Sequence, residues 1–273
     1  MKIIILILSS NSPVHLLNRL FQKSTWAKNE YENVQIIHYL AWNKKTIFKN
    51  NNLYLDTSKN FIDIGEKTYN AFEWCNTNLA FDFLFRTNSS SYIDVYNLIE
   101  FVNQNSNNIK YSGSEATAYL RESNYKFASG SGYFVSKETI ENILLNKDLW
   151  DFSLPDDVGL GDLLKKLGIK NFIFKKNEIE RFPLFNDVDY TLFHTRCKLN
   201  HLNIPRFFEG FVFLRLQKNY RLYKKNKTRF EQIDKLIFYI FKIIQKIYPK
   251  KYFSKFLNLN YKKSLRTFNQ KQF

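Results

Sequence analysis

Cysteine is nearly absent. Cys75 and Cys197 are the only two, far apart in 273 residues. There is no CxxC pair and no Cys/His ladder, so neither a structural zinc site nor a secreted disulfide scaffold is indicated. Five prolines and eight glycines are too few for a collagen-like or low-complexity chain. Long apolar runs are missing as well. The first, Ile3 to Leu8, is too short for a signal-peptide core or a bilayer crossing, and it reads as a buried first strand. Without an export signal the expected compartment is the cytoplasm.

What the chain has in excess is aromatic surface and positive charge. Aromatics make up 18%, with 27 Phe and 17 Tyr. With 44% hydrophobic and 24% charged residues, the whole fits a globular protein. The net charge of +16 is unevenly spread. Residues 215–273 carry 17 Lys and Arg against Glu231 and Asp234, whereas the first 214 residues are almost neutral. A nucleic-acid enzyme carries its charge on the body, along the groove that tracks phosphates. A basic tail interleaved with apolar residues points instead to an anionic membrane surface, and no nucleic-acid partner is expected.

Alternating patterns suggest an α/β domain. Strands are expected over 3–8, 34–40, 53–55, 81–86, 133–135 and 172–174. Helices are expected over 14–22, 67–76, 95–103, 138–145 and 158–167, with Gly168 as the residue that ends the last. From about 206 the texture changes, and the division expected is 1–205 for the α/β domain and 206–273 for a basic helical extension. Within the extension, residues 230–248 place Ile233, Leu236, Ile237, Ile240, Ile244 and Ile247 on one helical face, and Pro249 stops the pattern.

Four segments carry groups able to do chemistry. The run Arg86-Thr87-Asn88-Ser89-Ser90 follows a strand, where α/β sheets bind ligands; its bland reading is a solvated loop. Ala128-Ser129-Gly130-Ser131-Gly132-Tyr133 offers two glycines that let backbone approach a ligand, yet it precedes a strand and so is no P-loop. Asp156 and Asp157 open a helix, where one would cap it, or where two adjacent charges could make a general base. His194, Arg196 and Lys198, with Arg206 nearby, suit a phosphate grip; a His among aromatics is otherwise structural.

The order of these pieces resembles the β1,3-galactosyltransferase and Fringe-like inverting glycosyltransferases. That group has an early T-W, a K-T helix with a Trp, a strand ending in R/K-T-D-D-D, then A-S-G-G/S-G-Y-x-x-S and E-D-V-x-x-G. Here stand Thr25-Trp26, Lys67-Thr68 with Trp74, Arg86-Thr87-Asn88-Ser89-Ser90, Ala128 to Ser136, and Asp156-Asp157-Val158-Gly159-Leu160-Gly161. The likeness spans about residues 3–200. It implies a GT-A fold, a Rossmann-like domain holding a nucleotide sugar, with UDP as the expected nucleotide and a glycan or glycolipid hydroxyl as acceptor. It implies Asp157 as general base and Asp156 beside it at the donor. The metal-binding D-D-D is replaced by Asn88, Ser89 and Ser90. Three outcomes stay open: a weak Mn2+ or Mg2+ site using neutral oxygens and His194; no metal, with Arg86, Arg196 and Lys198 meeting the diphosphate; or an inactive sugar-binding protein. The expected role is a peripheral, cytoplasmic enzyme of surface polysaccharide or lipopolysaccharide synthesis.

Overall fold

The computed structural model describes residues 1–225 except 29, 43, 61–62, 121–122, 180–184, 186–187 and 200–203, and beyond 225 only Tyr239, Ile240 and Ile243. The helix expected over 230–248 lies outside the described residues apart from those three, which are helical and exposed. In chain order the elements are β1 (Ile3–Leu8), α1 (Pro13–Ser24), β2 (Val34–Ala41), β3 (Ile47–Lys49), β4 (Asn52–Leu55), α2 (Ile64–Asn78), β5 (Phe83–Asn88), β6 (Ser91–Ile93) and α3 (Val95–Asn105). There follow β7 (Tyr111–Leu120), β8 (Ser123–Ser136), α4 (Lys137–Leu145), α5 (Asp156–Lys166), β9 (Asn177–Glu178), β10 (His194–Arg196) and α6 (Glu209–Lys224).

The fold is a mixed α/β sheet of seven strands in the order β3-β4-β2-β1-β5-β8-β7, with a three-stranded sheet β6-β10-β9 beside it. β1 is the centre. Ile3, Ile5 and Ile7 belong to one core, Ile4 and Leu6 to the other. Successive strand side chains leave opposite faces, so a strand covered on both must be apolar throughout. The first core takes Leu98 and Val102 of α3 and Phe213 and Leu216 of α6. The second takes Phe72 of α2, Ile140 of α4 and Leu163 of α5. β1 pairs in parallel with β2 on one side and β5 on the other. The chain therefore reverses direction across the sheet between β1 and β5. Side chains at the carboxyl ends of those strands border the crevice where such sheets hold ligands.

Local chemistry fixes the helix ends. Ser12 caps α1 with Pro13 in its first turn, where the missing N–H costs nothing. Asp94 caps α3 by accepting from Asn97 N at 2.9 Å. Gly168, at φ +72°, ends α5. Its N–H donates to the Lys165 carbonyl at 3.0 Å, and the Ile169 N–H to Leu164 at 2.8 Å, the paired closure expected of a left-handed terminal glycine.

Three expectations need correction. The segment 172–174 is not a strand; Phe172 makes only an isolated bridge to Ser112. The glycine run lies inside the long strand β8, not in a loop before a short one. The division at 205 also fails to match the packing. Val212, Phe213, Leu216 and Tyr220 are buried in the first core, so residues through α6 belong to the body. Gly210 allows this approach, because a Cβ there would stand 2.0 Å from the Phe21 ring.

Candidate active site

β5 delivers Arg86 to the crevice, but the guanidinium turns inward and is only 2% exposed. Its Nη2 lies 2.5 Å from Asp156 Oδ2, and its Nη1 donates to the Gly130 carbonyl. Nε donates to the Tyr39 hydroxyl at 3.1 Å. Tyr39 stands 3.0 Å from Thr68 Oγ1, and Thr68 donates to Asp156 at 3.1 Å. The four side chains thus close a ring of hydrogen bonds across β5, β2, α2 and α5. Burial opposes charge on both Arg86 and Asp156. For Arg86 the Asp156 carboxylate more than offsets it, and the guanidinium stays a cation. For Asp156 burial dominates, with Arg86 pulling down and Asp157 pushing up, and the carboxyl rises to about 6. The two partners thus respond unequally to one contact. Burial decides the difference, because a guanidinium spreads its charge over three nitrogens and is the more weakly hydrated ion.

Asp157, next along α5, is half-buried. Its Oδ2 accepts the Gly130 N–H at 2.6 Å and its Oδ1 the Val158 N–H at 3.0 Å. Gly130 is required for this: a Cβ there would stand 2.7 Å from Oδ2. A Cβ on Gly132 would meet His194 Cε1 and Phe85 Cζ, both at 2.7 Å. The two glycines expected to admit a ligand instead admit Asp157 and His194.

The segment standing in place of D-D-D is a turn folded on itself. Asn88 Oδ1 accepts from Ser90 N at 3.1 Å, Ser90 Oγ at 2.9 Å and Ser91 Oγ at 3.4 Å, while its Nδ2 donates to the Gly130 carbonyl at 3.2 Å. Ser89 and Ser90 are buried. Gln22 of α1 donates to the carbonyls of Asn88, Ser89 and Ser91. Thr87 is buried and donates to the Ser131 carbonyl at 2.7 Å. The Ser131 hydroxyl accepts from Lys176 Nζ at 2.6 Å. His194 is fully buried, with Nε2 3.1 Å from Ser91 Oγ. Burial, then Lys176 and Arg196, push its pKa well below the usual imidazole value, so it is neutral. Among the described residues no three of His, Cys, Asp and Glu converge as a metal centre.

Half-buried positive charge near this turn comes from elsewhere. Arg206, in a short turn before α6, sends Nη2 to 3.5 Å from Ser89 Oγ and Nη1 to 3.3 Å from His15 Nε2. Glu209 holds it from behind at 2.9 Å, and Asn18 donates to Glu209 at 2.5 Å. His15 Nδ1 lies 2.7 Å from Ser10 Oγ. Burial, then Arg206 and Arg19, lower His15 to about 4. Lys198 is lowered by burial, then by Arg196 and Arg206. Arg196 lies 3.6 Å from Glu178. Of the expected cations, Arg196 and Lys198 therefore join this rim and Arg86 does not. Arg206 was legible only as a neighbour in sequence, and His15, Arg19 and Lys176 gave no signal, since their meeting with β5 depends on tertiary packing.

Fold and site define an α/β domain in which Arg206, Arg196 and Lys198 gather near the carboxyl ends of β1 and β5, with Asp157 of α5 held against Gly130 on β8. No protein-family signature matches the chain, and no curated protein matches it by sequence. Among solved structures, it is similar to a glycosyltransferase involved in the glycosylation of the major capsid of PBCV-1. The identity is 10% and the TM-score 0.49, over 78% of this chain and 99% of that one.

Proposed function

We propose that the chain is an inverting glycosyltransferase of the GT-A type. It moves a hexose or N-acetylhexosamine from a nucleotide sugar, with UDP as the favoured nucleotide, to a hydroxyl of a glycan or glycolipid. The observation that carries this reading is Asp157, oriented by the Gly130 N–H at 2.6 Å beside the rim of Arg206, Lys198 and Arg196. Each carboxylate oxygen accepts one backbone bond and keeps a lone pair for the acceptor proton. In the step envisaged, Asp157 takes the proton as the acceptor oxygen bonds to the anomeric carbon. The bond from that carbon to the diphosphate oxygen breaks on the opposite face, and the nucleoside diphosphate leaves with the electron pair.

A divalent metal fits these residues poorly. Hard cations want carboxylate oxygen. The three positions that would supply it are neutral, and Asn88 Oδ1 already accepts three bonds. Charge on the leaving group falls instead to Arg206, Lys198 and Arg196, whose fixed positions make them effective without reorganisation. Surface polysaccharide or lipopolysaccharide synthesis at the inner face of a membrane is the setting that fits the basic tail. No helix among the described residues is long and apolar enough to cross a membrane.

One observation favours a second reading, a sugar-binding protein without activity: both Asp157 oxygens are engaged by backbone N–H groups, as in a purely structural cap. A panel of nucleotide sugars in a thermal-shift assay, with and without Mn2+, followed by a transfer assay on the binders, decides. A ligand of the native state raises the melting point by mass action. Binding with transfer supports the enzyme, binding without transfer the second reading, and no binding by any nucleotide sugar overturns both.

A further inference from the structure

α1 and α6 pack side by side, and both leave apolar side chains outside. Leu16 and Leu20, one turn apart on α1, are 39% and 65% exposed. Phe207, Phe211 and Leu214 are 40%, 54% and 42% exposed. Phe207, Phe208, Phe211 and Phe21 form a connected row of rings. The Phe207 ring lies 4.5 Å from Phe208, Phe208 6.1 Å from Phe211, and Phe211 5.7 Å from Phe21, the chain neighbour of Leu20. Isolated exposed apolar residues need no explanation, but a contiguous group of this size marks a contact surface.

The charge around the patch identifies the contact. α1 has no acidic residue and carries Arg19 and Lys23, at three-residue spacing from Leu16 and Leu20. α6 has one acid, Glu209, which is buried against Arg206. Continuing the stripe of Phe207, Phe211 and Leu214 by helical steps leads to Lys218 and Arg221, both exposed. Farther along, Lys224 pairs with Asp94. The chain after 225 carries 12 Lys and Arg against two acids, which adds to this positive charge. A second copy docked face to face would oppose like charges. An apolar surface edged with cations suits a partner that is apolar within and anionic at its border.

We infer that the outer face of α1 and α6 is the surface by which the body itself docks on an anionic lipid bilayer, with Leu16, Leu20, Phe207, Phe211 and Leu214 entering the acyl boundary. This goes beyond a basic tail acting as a tether, because it fixes an orientation. Arg206 directly precedes Phe207 and touches His15, one residue from Leu16 along α1, so the crevice rim sits at the edge of the docked face. An acceptor held in the lipid surface then reaches the crevice without leaving it.

The test uses the full chain and vesicles of phosphatidylcholine with and without phosphatidylglycerol. Leu20→Glu with Phe211→Glu places two charges on exposed sites, and its circular dichroism and melting should match wild type. Its partition onto anionic vesicles should fall by roughly 10-fold or more, given the apolar area withdrawn from contact. In a second measurement, Phe211→Trp should gain fluorescence quenching by brominated acyl chains above the wild-type background. Unchanged partition of the double variant, or no added quenching of Phe211→Trp, overturns the inference and leaves the tail as sole tether. Loss of self-association with vesicle binding intact overturns it in favour of a contact between copies. Nucleotide-sugar binding by the double variant is read separately in solution, so failure of the membrane inference is distinguishable from failure of the glycosyltransferase reading.

Discussion

Two arginines stand near the carboxyl end of β5, each with a carboxylate partner, and they differ in everything else. Arg86 is sealed: 2% exposed, with Asp156, Tyr39 and the Gly130 carbonyl consuming its donors. Arg206 is at the rim: its side chain is 21% exposed, beside a neutral His15 and close to Lys198. A guanidinium surrounded by satisfied acceptors holds structure together, and it cannot meet an incoming diphosphate without abandoning a buried acid. A guanidinium backed by one acid, with its other contacts long and to neutral groups, keeps the freedom to turn toward an anion. The motif-bearing arginine is thus tied up in structure, and the arginine outside the motif is the one to which the proposed function gives the donor.

The largest effect should come from breaking the sealed pair. Arg86→Met keeps volume but leaves Asp156 buried without its cation. Removal of one partner of a buried pair costs about 3–5 kcal/mol. The cost should grow with pH. Asp156 in the native state lies at about 6, above the ordinary carboxyl value of 3.8, and without Arg86 it must rise further. At pH 5 the native carboxyl can remain protonated at modest cost, whereas at pH 8 the unfolded state gains by ionising it. Urea denaturation at both values checks this. An equal loss at the two pH values would mean that the carboxyl is ionised throughout. Asp156→Asn strands the buried guanidinium in turn, which cannot neutralise itself by losing its proton, so its loss should be of comparable size.

Next in size is the loss of the proton acceptor. Asp157→Asn retains an oxygen for the Gly130 N–H, so the fold and donor binding should persist. Transfer should fall ~10²-fold or more, the lower range for general-base loss. Normal transfer by this variant would return Asp157 to the role of helix cap.

These contrasts also show why the sequence was legible in some places and opaque in others. The buried run Ile3–Leu8 and the helix-ending Gly168 act through neighbours a few positions away, so pattern alone finds them. The short hairpin strand β3 (Ile47–Lys49), fully exposed, shows no apolar alternation to read. Segment 172–174 looks like a strand because Phe172 and Phe174 are apolar, yet they pack on the first core without a ladder. At the site, residues near β5 could be named, but not which way they face. Which way Arg86 and Arg206 turn depends on Tyr39, Asp156 and His15, which arrive from distant parts of the chain. The boundary at 205 was misplaced for a related reason: Lys218, Arg221 and Lys224 of α6 are exposed, while Val212, Phe213 and Leu216 fill the core.

A smaller change separates the two arginines by function. Arg206→Lys keeps a charge beside Glu209 and loses the fork that engages two phosphate oxygens at once. Donor affinity, measured with UDP and GDP as probes, should weaken about 3- to 10-fold, with Arg196→Ala producing a lesser loss. Binding and transfer should survive EDTA. Loss of activity on chelation, restored by Mn2+, would assign the diphosphate charge to a metal and remove the rim arginines from that task.

The smallest effect concerns His15 and is readable only through pH. Burial, Arg206 and Arg19 lower its pKa from 6.5 to about 4. A base held neutral in the native state binds fewer protons there than when unfolded. The contribution is therefore present above pH 6.5 and is lost as pH falls toward 4. His15→Gln keeps hydrogen-bonding capacity toward Ser10 and Arg206 but cannot take up the proton. At pH 7.5 the variant should be equal to or slightly less stable than wild type. At pH 5 it should gain relative to wild type, because unfolding no longer draws a proton onto this side chain. Denaturation midpoints at the two pH values give the comparison, and a parallel shift of the variant at both would show that His15 is not held neutral by the cations of the rim. Adding a diphosphate should narrow the difference at pH 5. An anion bound between Arg206 and Arg19 offsets the charge that keeps the imidazole deprotonated, so the pH dependence of this one residue also reports whether the rim is where the anion sits.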